Sequence, residues 1–503
     1  MSMKHRLIAA FGAVVLGLAG LAGCAGGAAS ADGEATLRWA VTLPAHWDPV
    51  VGGSGAQFRI LSLAYASLTE IDEKGNAVPS LAQSWDYNAK GDQVTFHLRP
   101  NLTFSDGEPV NAAAIKAYLE RAKTQKDSAL FGDLTSIKSV TTKGDLDVVV
   151  DLTQVDYQIP LLLGERVAQI TSPKAAQDPK KLDRSPVGAG PFVVTENVPG
   201  SHVNFTKNPN YWDAANIHID KVELLSAPDP ATIVSGVKTG VYDLANLTPN
   251  QVKAAEGSGL DVVFQPGYNA SNISININKK PFDNPKVVDA VRHAVNRQEF
   301  VDKVTFGYGK ATDQPFPPEY LAYDPTSADA YPYDVAKAKR LLTEAGFAAG
   351  QIKVDLVISA QSTAAEIIQA QLGAVGIGVT IKVDPNWATP FFAKDLTLSV
   401  YGTTGRESPV QTLTAHFGPN GPLNLSTPYE PAGFAKAIAL ARETPLDSPD
   451  YQKNLQAATR AGLASKALVF TYSQPNLFVK SKKVSALPAI PGQIHWTGVT
   501  VAP

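Results

Sequence analysis

Residues 352–383 read IKVDLVISAQSTAAEIIQAQLGAVGIGVTIKV. Val354, Leu356 and Ile358 alternate with polar neighbours, the period-2 pattern of a strand. From Thr363 to Val375 the spacing becomes helical, with Ile367, Ile368 and Leu372 on the inner face. Gly376-Ile377-Gly378 reads as a turn, after which Val379, Ile381 and Val383 alternate again. Two strands joined by a helix of this length predict a parallel pair with a right-handed crossover.

The same alternation of signals runs outward in both directions, which places the chain in the mixed α/β class. Upstream, Val94, Phe96 and Leu98 line one face of a strand over Gln93–Leu98, and Asn111 stands as N-cap of a helix carrying Ile115, Tyr118 and Leu119. Ile273, Ile275 and Ile277 alternate with Ser274, Asn276 and Asn278, predicting another half-buried strand. Asn284 then caps a helix with Pro285 in its first turn and Val287, Val288 and Val291 inward; Arg292 and Arg297 are expected outward or paired. Asp334 starts a further helix, burying Val335, Ala338, Leu341 and Leu342 and closed by Gly346.

The chain has 503 residues, 44% of them hydrophobic and 8% aromatic, enough for a large core divided among two or three domains. Its single cysteine, Cys24, follows Lys4, Arg6 and an apolar run of 17 residues, Leu7–Gly23. A basic start, a short apolar stretch and small residues before the cut describe an export signal over 1–23. The ending Leu21-Ala22-Gly23-Cys24 resembles a bacterial lipobox, which implies acylation of Cys24 and a membrane anchor. Residues 24–33 are small and polar, a flexible tether. From Cys24 onward 42 basic residues face 47 acidic ones, and this net −5 argues against a nucleic-acid partner. One cysteine permits no intramolecular disulfide and no cysteine-based metal site.

Catalytic motifs are missing from the sequence. No Gly-x-Ser-x-Gly elbow and no Gly-x-x-x-x-Gly-Lys-Ser/Thr loop occurs. The histidines are scattered, and His218 with Asp220 is a pair without the further ligands a metal needs. The chain reads as a non-enzyme with no cofactor and no metal.

Several blocks together resemble the peptide/nickel-type solute-binding lipoproteins of ABC importers, the dipeptide- and oligopeptide-binding family 5. They are VPSLAQSW at 78–85, TFHLR at 95–99 with FSDGEPV at 104–110, GAGPF at 188–192, NPNYW at 208–212 and Gly240–Asp243. The segments 276–297 and 333–347 continue the match in the family's order. The resemblance implies a type II two-lobe clamshell with an extra subdomain on the first lobe. Carried over, lobe I takes 32–58, 178–268 and 471–503, the extra subdomain 59–177, and lobe II 269–470. It implies a monomer held at the outer face of the cytoplasmic membrane. There it would capture an extracytoplasmic solute, a peptide or peptide-like compound, and deliver it to the permease and ATPase subunits. A non-peptide solute (metal chelate, opine, sugar-like or anionic compound) or a sensory role is the alternative.

In peptide-binding relatives a loop of the second lobe carries an aspartate, four residues before a proline, that pairs with the ligand's ammonium. Counting back from Pro409 puts Gly405 in that place, followed by Arg406 and Glu407. The ligand-binding residues expected are therefore Tyr401, Gly402, Thr403, Thr404, Gly405, Arg406 and Glu407. Trp387 and Tyr401 would form walls, Trp47 would close the pocket, and Tyr472 would face the cleft. The backbone of Tyr401 and Thr403 is expected to pair with an extended ligand as an added strand. Arg406 could meet a carboxylate or phosphate in bidentate fashion, Glu407 could stand in for the aspartate, or the two could pair with each other on a solvated loop. Asn276 and Asn278 are placed at the hinge.

Overall fold

The computed structural model describes residues 34–52, 55–164, 166–227, 229–268, 270–403 and 405–502. The export signal, Cys24 and its tether, and Thr404, lie outside the described residues. Among the described residues no helix is long and apolar enough to cross a membrane.

The 352–383 unit forms as its pattern dictates. Ile352–Ile358 pairs in parallel with Ile377–Val383 along its whole length. Helix Thr363–Ala374 connects them and buries Ile367, Ile368 and Leu372. The Ser362 hydroxyl caps this helix by accepting from the amide of Ala365. The turn is shorter than expected: Gly376 alone turns the chain, at φ +97, and Ile377 already opens the second strand.

This unit is one edge of a six-stranded sheet. Its order is Lys310–Ala311, Leu468–Ser473, Ala270–Ile275, Leu398–Thr403, Ile352–Ile358, Ile377–Val383. The central strand Ala270–Ile275 is buried on both faces, where alternation predicted one wet face. Its polar side chains are satisfied locally: the Ser274 hydroxyl donates to Asn272 Oδ1, and Asn272 Nδ2 donates to the Tyr401 carbonyl. Arg292, expected outward or paired, is buried; its guanidinium donates to the Ser465 carbonyl and stacks on Tyr331.

A seven-stranded sheet forms the other main layer. Its order is Asp261–Gln265, Asn476–Lys480, Leu244–Asn246, Thr36–Val41, Lys221–Ser226, His202–Lys207, Phe192–Val198. A third, antiparallel sheet of Ala82–Tyr87, Gln93–Leu98, Asp147–Leu152 and Ile137–Lys143 carries helix Ala112–Thr124. It shares one apolar core with the seven-stranded sheet, whereas the six-stranded sheet has its own.

The chain crosses between the two large sheets twice, after Gln265 and after Ser473. Leu468–Ser473 stays with the six-stranded sheet, so the expected boundary at 471 falls inside a strand. Asn276 and Asn278 are not at these crossings. They follow the far end of Ala270–Ile275, where Asn276 donates to the carbonyls of Lys394 and Leu396 and Asn278 to those of Ser426 and Thr427.

Candidate functional site

Strand Leu398–Thr403 pairs with Ala270–Ile275 over six residues but with Ile352–Ile358 only at Leu398 and Ser399. From Val400 to Thr403 its other edge has no strand beside it among the described residues, which leaves backbone available to an extended ligand. The chain then turns into helix Pro409–Phe417, capped by the Ser408 hydroxyl, which accepts from the Gln411 amide, with Pro409 in the first turn.

The turn depends on Gly405. Its φ is +74, and a Cβ there would lie 1.9 Å from Cβ of Tyr268. The place expected for an aspartate therefore has no room for any side chain. Arg406 and Glu407 follow, the first half-buried and the second buried, and they do not pair with each other.

Arg406 instead reaches across to the segments flanking the four-stranded sheet. One of its terminal nitrogens lies 3.1 Å from Asp133 Oδ1. Asp133 also pairs with Arg166 and accepts from Gln411 Nε2 at 2.8 Å. Nearby, Gln158 Oε1 accepts from the Ser408 hydroxyl at 3.2 Å and from the Tyr451 hydroxyl at 2.9 Å. These bonds join two separately built cores. They lie beside an open cavity of about 800 Å³, bordered by Asp133, Arg166, Tyr401, Gly405, Arg406 and His416 among others.

The electrostatics follow from burial. Arg406 is pushed down by desolvation and by the like charge of Arg166, against the pull of Asp133. Desolvation pushes the Glu407 carboxyl up, opposed by Arg166 and Arg406. Glu407 forms no ion pair among the described residues, and its Oε2 is buried without a hydrogen-bond donor. His416 is pushed down to about 4 by burial, so its ring is neutral. Its Nδ1 donates to the Thr412 carbonyl at 2.8 Å, which leaves Nε2 as an unpartnered buried acceptor on the cavity wall.

The structure brings Tyr401, Gly405 and Arg406 to the cavity and leaves other expected residues elsewhere. Trp387 lies behind the wall, its ring 4.9 Å from Phe391 and 5.6 Å from Tyr401. Gly402 is exposed, and Thr403 ends the strand. Trp47 does not close the pocket: it is packed in the first core, 5.9 Å from Phe205, with its amide donating to Asp183. Tyr472 does not face the cavity either, because it stacks on Phe300 at 6.0 Å against the second core. Sequence reasoning missed Asp133, Gln158, Arg166, Gln411 and His416. The Ser408-Pro409 cap signal locates the helix bearing Gln411 and His416, but nothing local marks Asp133 or Arg166.

Residues 76–424 match the family model for bacterial extracellular solute-binding proteins, family 5. A di/tripeptide-binding protein of Pseudomonas aeruginosa is 30% identical over 373 residues, 67% of this chain and 70% of the relative. Heme-binding protein A of Haemophilus influenzae is 28% identical over 405 residues, 72% of this chain and 73% of the relative. Among solved structures, the periplasmic binding protein DppA of Helicobacter pylori in complex with the peptide STSA superposes with a TM-score of 0.81. That match has 22% identity and covers 93% of this chain and 98% of the other. The fold is thus the two-lobe α/β clamshell, and the chain belongs to the family 5 bacterial extracellular solute-binding proteins.

Proposed function

We propose that this chain captures a short peptide or peptide-like compound in the cavity beside Arg406 and hands it to the permease of an ATP-driven importer. The observation that carries this reading is the open edge at Val400–Thr403 next to the cavity. An edge of this kind offers main-chain donors and acceptors to an extended ligand, while the cavity accommodates side chains. The volume falls within the ordinary range for small-ligand sites. Relatives named for di- and tripeptide binding support the same class.

In this proposal the two cores are the halves of a clamshell, and the crossings after Gln265 and Ser473 form its hinge. Lobe I comprises 32–58 and 178–268 with the C-terminal segment, the extra subdomain 59–177, and lobe II the six-stranded sheet. Ligand shifts the open–closed equilibrium by its greater affinity for the closed form, and no bond is made or broken. Residues 1–23 direct export, and Cys24 carries the lipid that keeps the monomer near its permease. Replacing Cys24 with Ala should release the protein from membranes, read by fractionation and fatty-acid labelling.

Native mass spectrometry of protein purified without denaturation tests the ligand class. Short peptides should be released, and calorimetry should show dipeptide binding. A chain that releases no peptide and gives no heat with any dipeptide would sink the proposal.

A further inference from the structure

Two guanidiniums in the cavity wall, those of Arg406 and Arg166, are under-used. Arg406 has five N–H donors, and among the described residues one terminal nitrogen of its side chain contacts a protein oxygen, at Asp133. Arg166 also meets Asp133 through one terminal nitrogen, and its Nε is buried without an acceptor among the described residues. A purely structural arginine–carboxylate pair is commonly bidentate. Here one carboxylate is shared by two arginines, and the nearby Glu407 forms no ion pair with either.

Two like charges buried beside one carboxylate are costly, because both have lost water and repel each other. The side chains of Arg166 and Arg406 are 15% and 18% exposed, and both border the cavity. The two arginines also come from opposite sides of it, one flanking the four-stranded sheet and one following the strand Leu398–Thr403. A group held by both would therefore bridge the two halves.

We infer that the ligand presents a carboxylate to Arg406 and Arg166, so that these two residues determine specificity by reading an anionic end and not an ammonium. This rests on the cavity being the ligand site proposed above. The ligand's carboxylate gives the unused donors acceptors. Closure and anion recognition are then one event, since the bridge exists only when both halves meet.

The test compares dialanine, N-acetyl-dialanine and dialanine amide by calorimetry on the full mature protein, with inorganic phosphate as a fourth probe. Acetylation removes the ammonium and amidation removes the carboxylate. N-acetyl-dialanine should bind like dialanine, and the amide about 10–100-fold more weakly, as loss of charged hydrogen bonds implies. Arg406→Gln should shrink that acid-to-amide ratio, a readout that a merely structural arginine would not move. Thermal melting establishes that the variant is folded, and the wild-type comparison decides the matter if it is not.

Amide binding equal to acid binding, or a co-purified ligand without an anionic group, overturns the inference and leaves peptide capture standing. A co-purified non-peptide anion with no peptide binding does the reverse. Inorganic phosphate stabilising the protein as much as dialanine also overturns the inference, because the site would then hold a free ion. If no probe binds and no ligand is released, both readings fall.

Discussion

The core beneath Ile352–Val383 and the seam around Asp133 are both buried, but they are built on opposite terms. In the core, Leu356, Leu372 and Ile377 are fully buried among apolar neighbours, and the two strands pair with each other along their whole length. In the seam, buried polar atoms of Gln158, Arg166, Glu407, Gln411 and His416 lack partners among the described residues. Native interiors leave few such atoms unsatisfied. Five of them gather at this seam, the place where we propose that ligand is read.

Four experiments can break or sharpen that contrast. Leu356→Ala should cost about 2–5 kcal/mol of stability through the cavity it leaves. Urea unfolding would measure the loss, while the ranking of ligands should stay unchanged; an altered ranking would mean that core and seam are not separate.

Acid response comes next. The folded state holds His416 near 4, so as pH falls from about 6.5 the unfolded chain takes up its proton first. The stabilisation is complete above about 6.5 and is lost by about pH 4, on the order of 3 kcal/mol. His416→Gln should lose less over that window. An unchanged gap in urea midpoint between variant and wild type at pH 7 and pH 4 would refute this.

Gly405→Ala forces a side chain onto Tyr268 at a left-handed φ, a strain of about 1–3 kcal/mol. Affinity measured by calorimetry should fall more than the melting temperature, because the displaced turn carries Arg406. The smallest effect is expected from Tyr451→Phe, which removes one hydrogen bond to Gln158 across the seam, about 0.5–1.5 kcal/mol. It should appear in urea titrations of the wild type and variant.

Legibility in the sequence followed the same division. The caps at Asn111, Asn284 and Asp334 were readable because each is a local match between a side chain and an amide two or three residues on. Strand Gln93–Leu98 was readable from its alternation alone. The order of motif blocks carried the family and with it the clamshell. The seam was not readable, because Asp133 meets Arg406 across 273 positions and no local pattern encodes that distance. Sequence adjacency even suggested a pairing of Arg406 with Glu407 that the structure does not make. Trp47 and Tyr472 show the matching weakness: an isolated aromatic looks the same in sequence whether it packs a core or walls a pocket.

The position of Asn476–Lys480 has a consequence for timing. This strand is inserted between Asp261–Gln265 and Leu244–Asn246, so the seven-stranded sheet stays split until residues near 480 have been made. Leu468–Ser473 is likewise inserted between Lys310–Ala311 and Ala270–Ile275. At ordinary rates of synthesis the interval before these strands emerge is tens of seconds. Contacts of such long range also form slowly. Both large sheets are therefore completed only when almost the whole chain has been made.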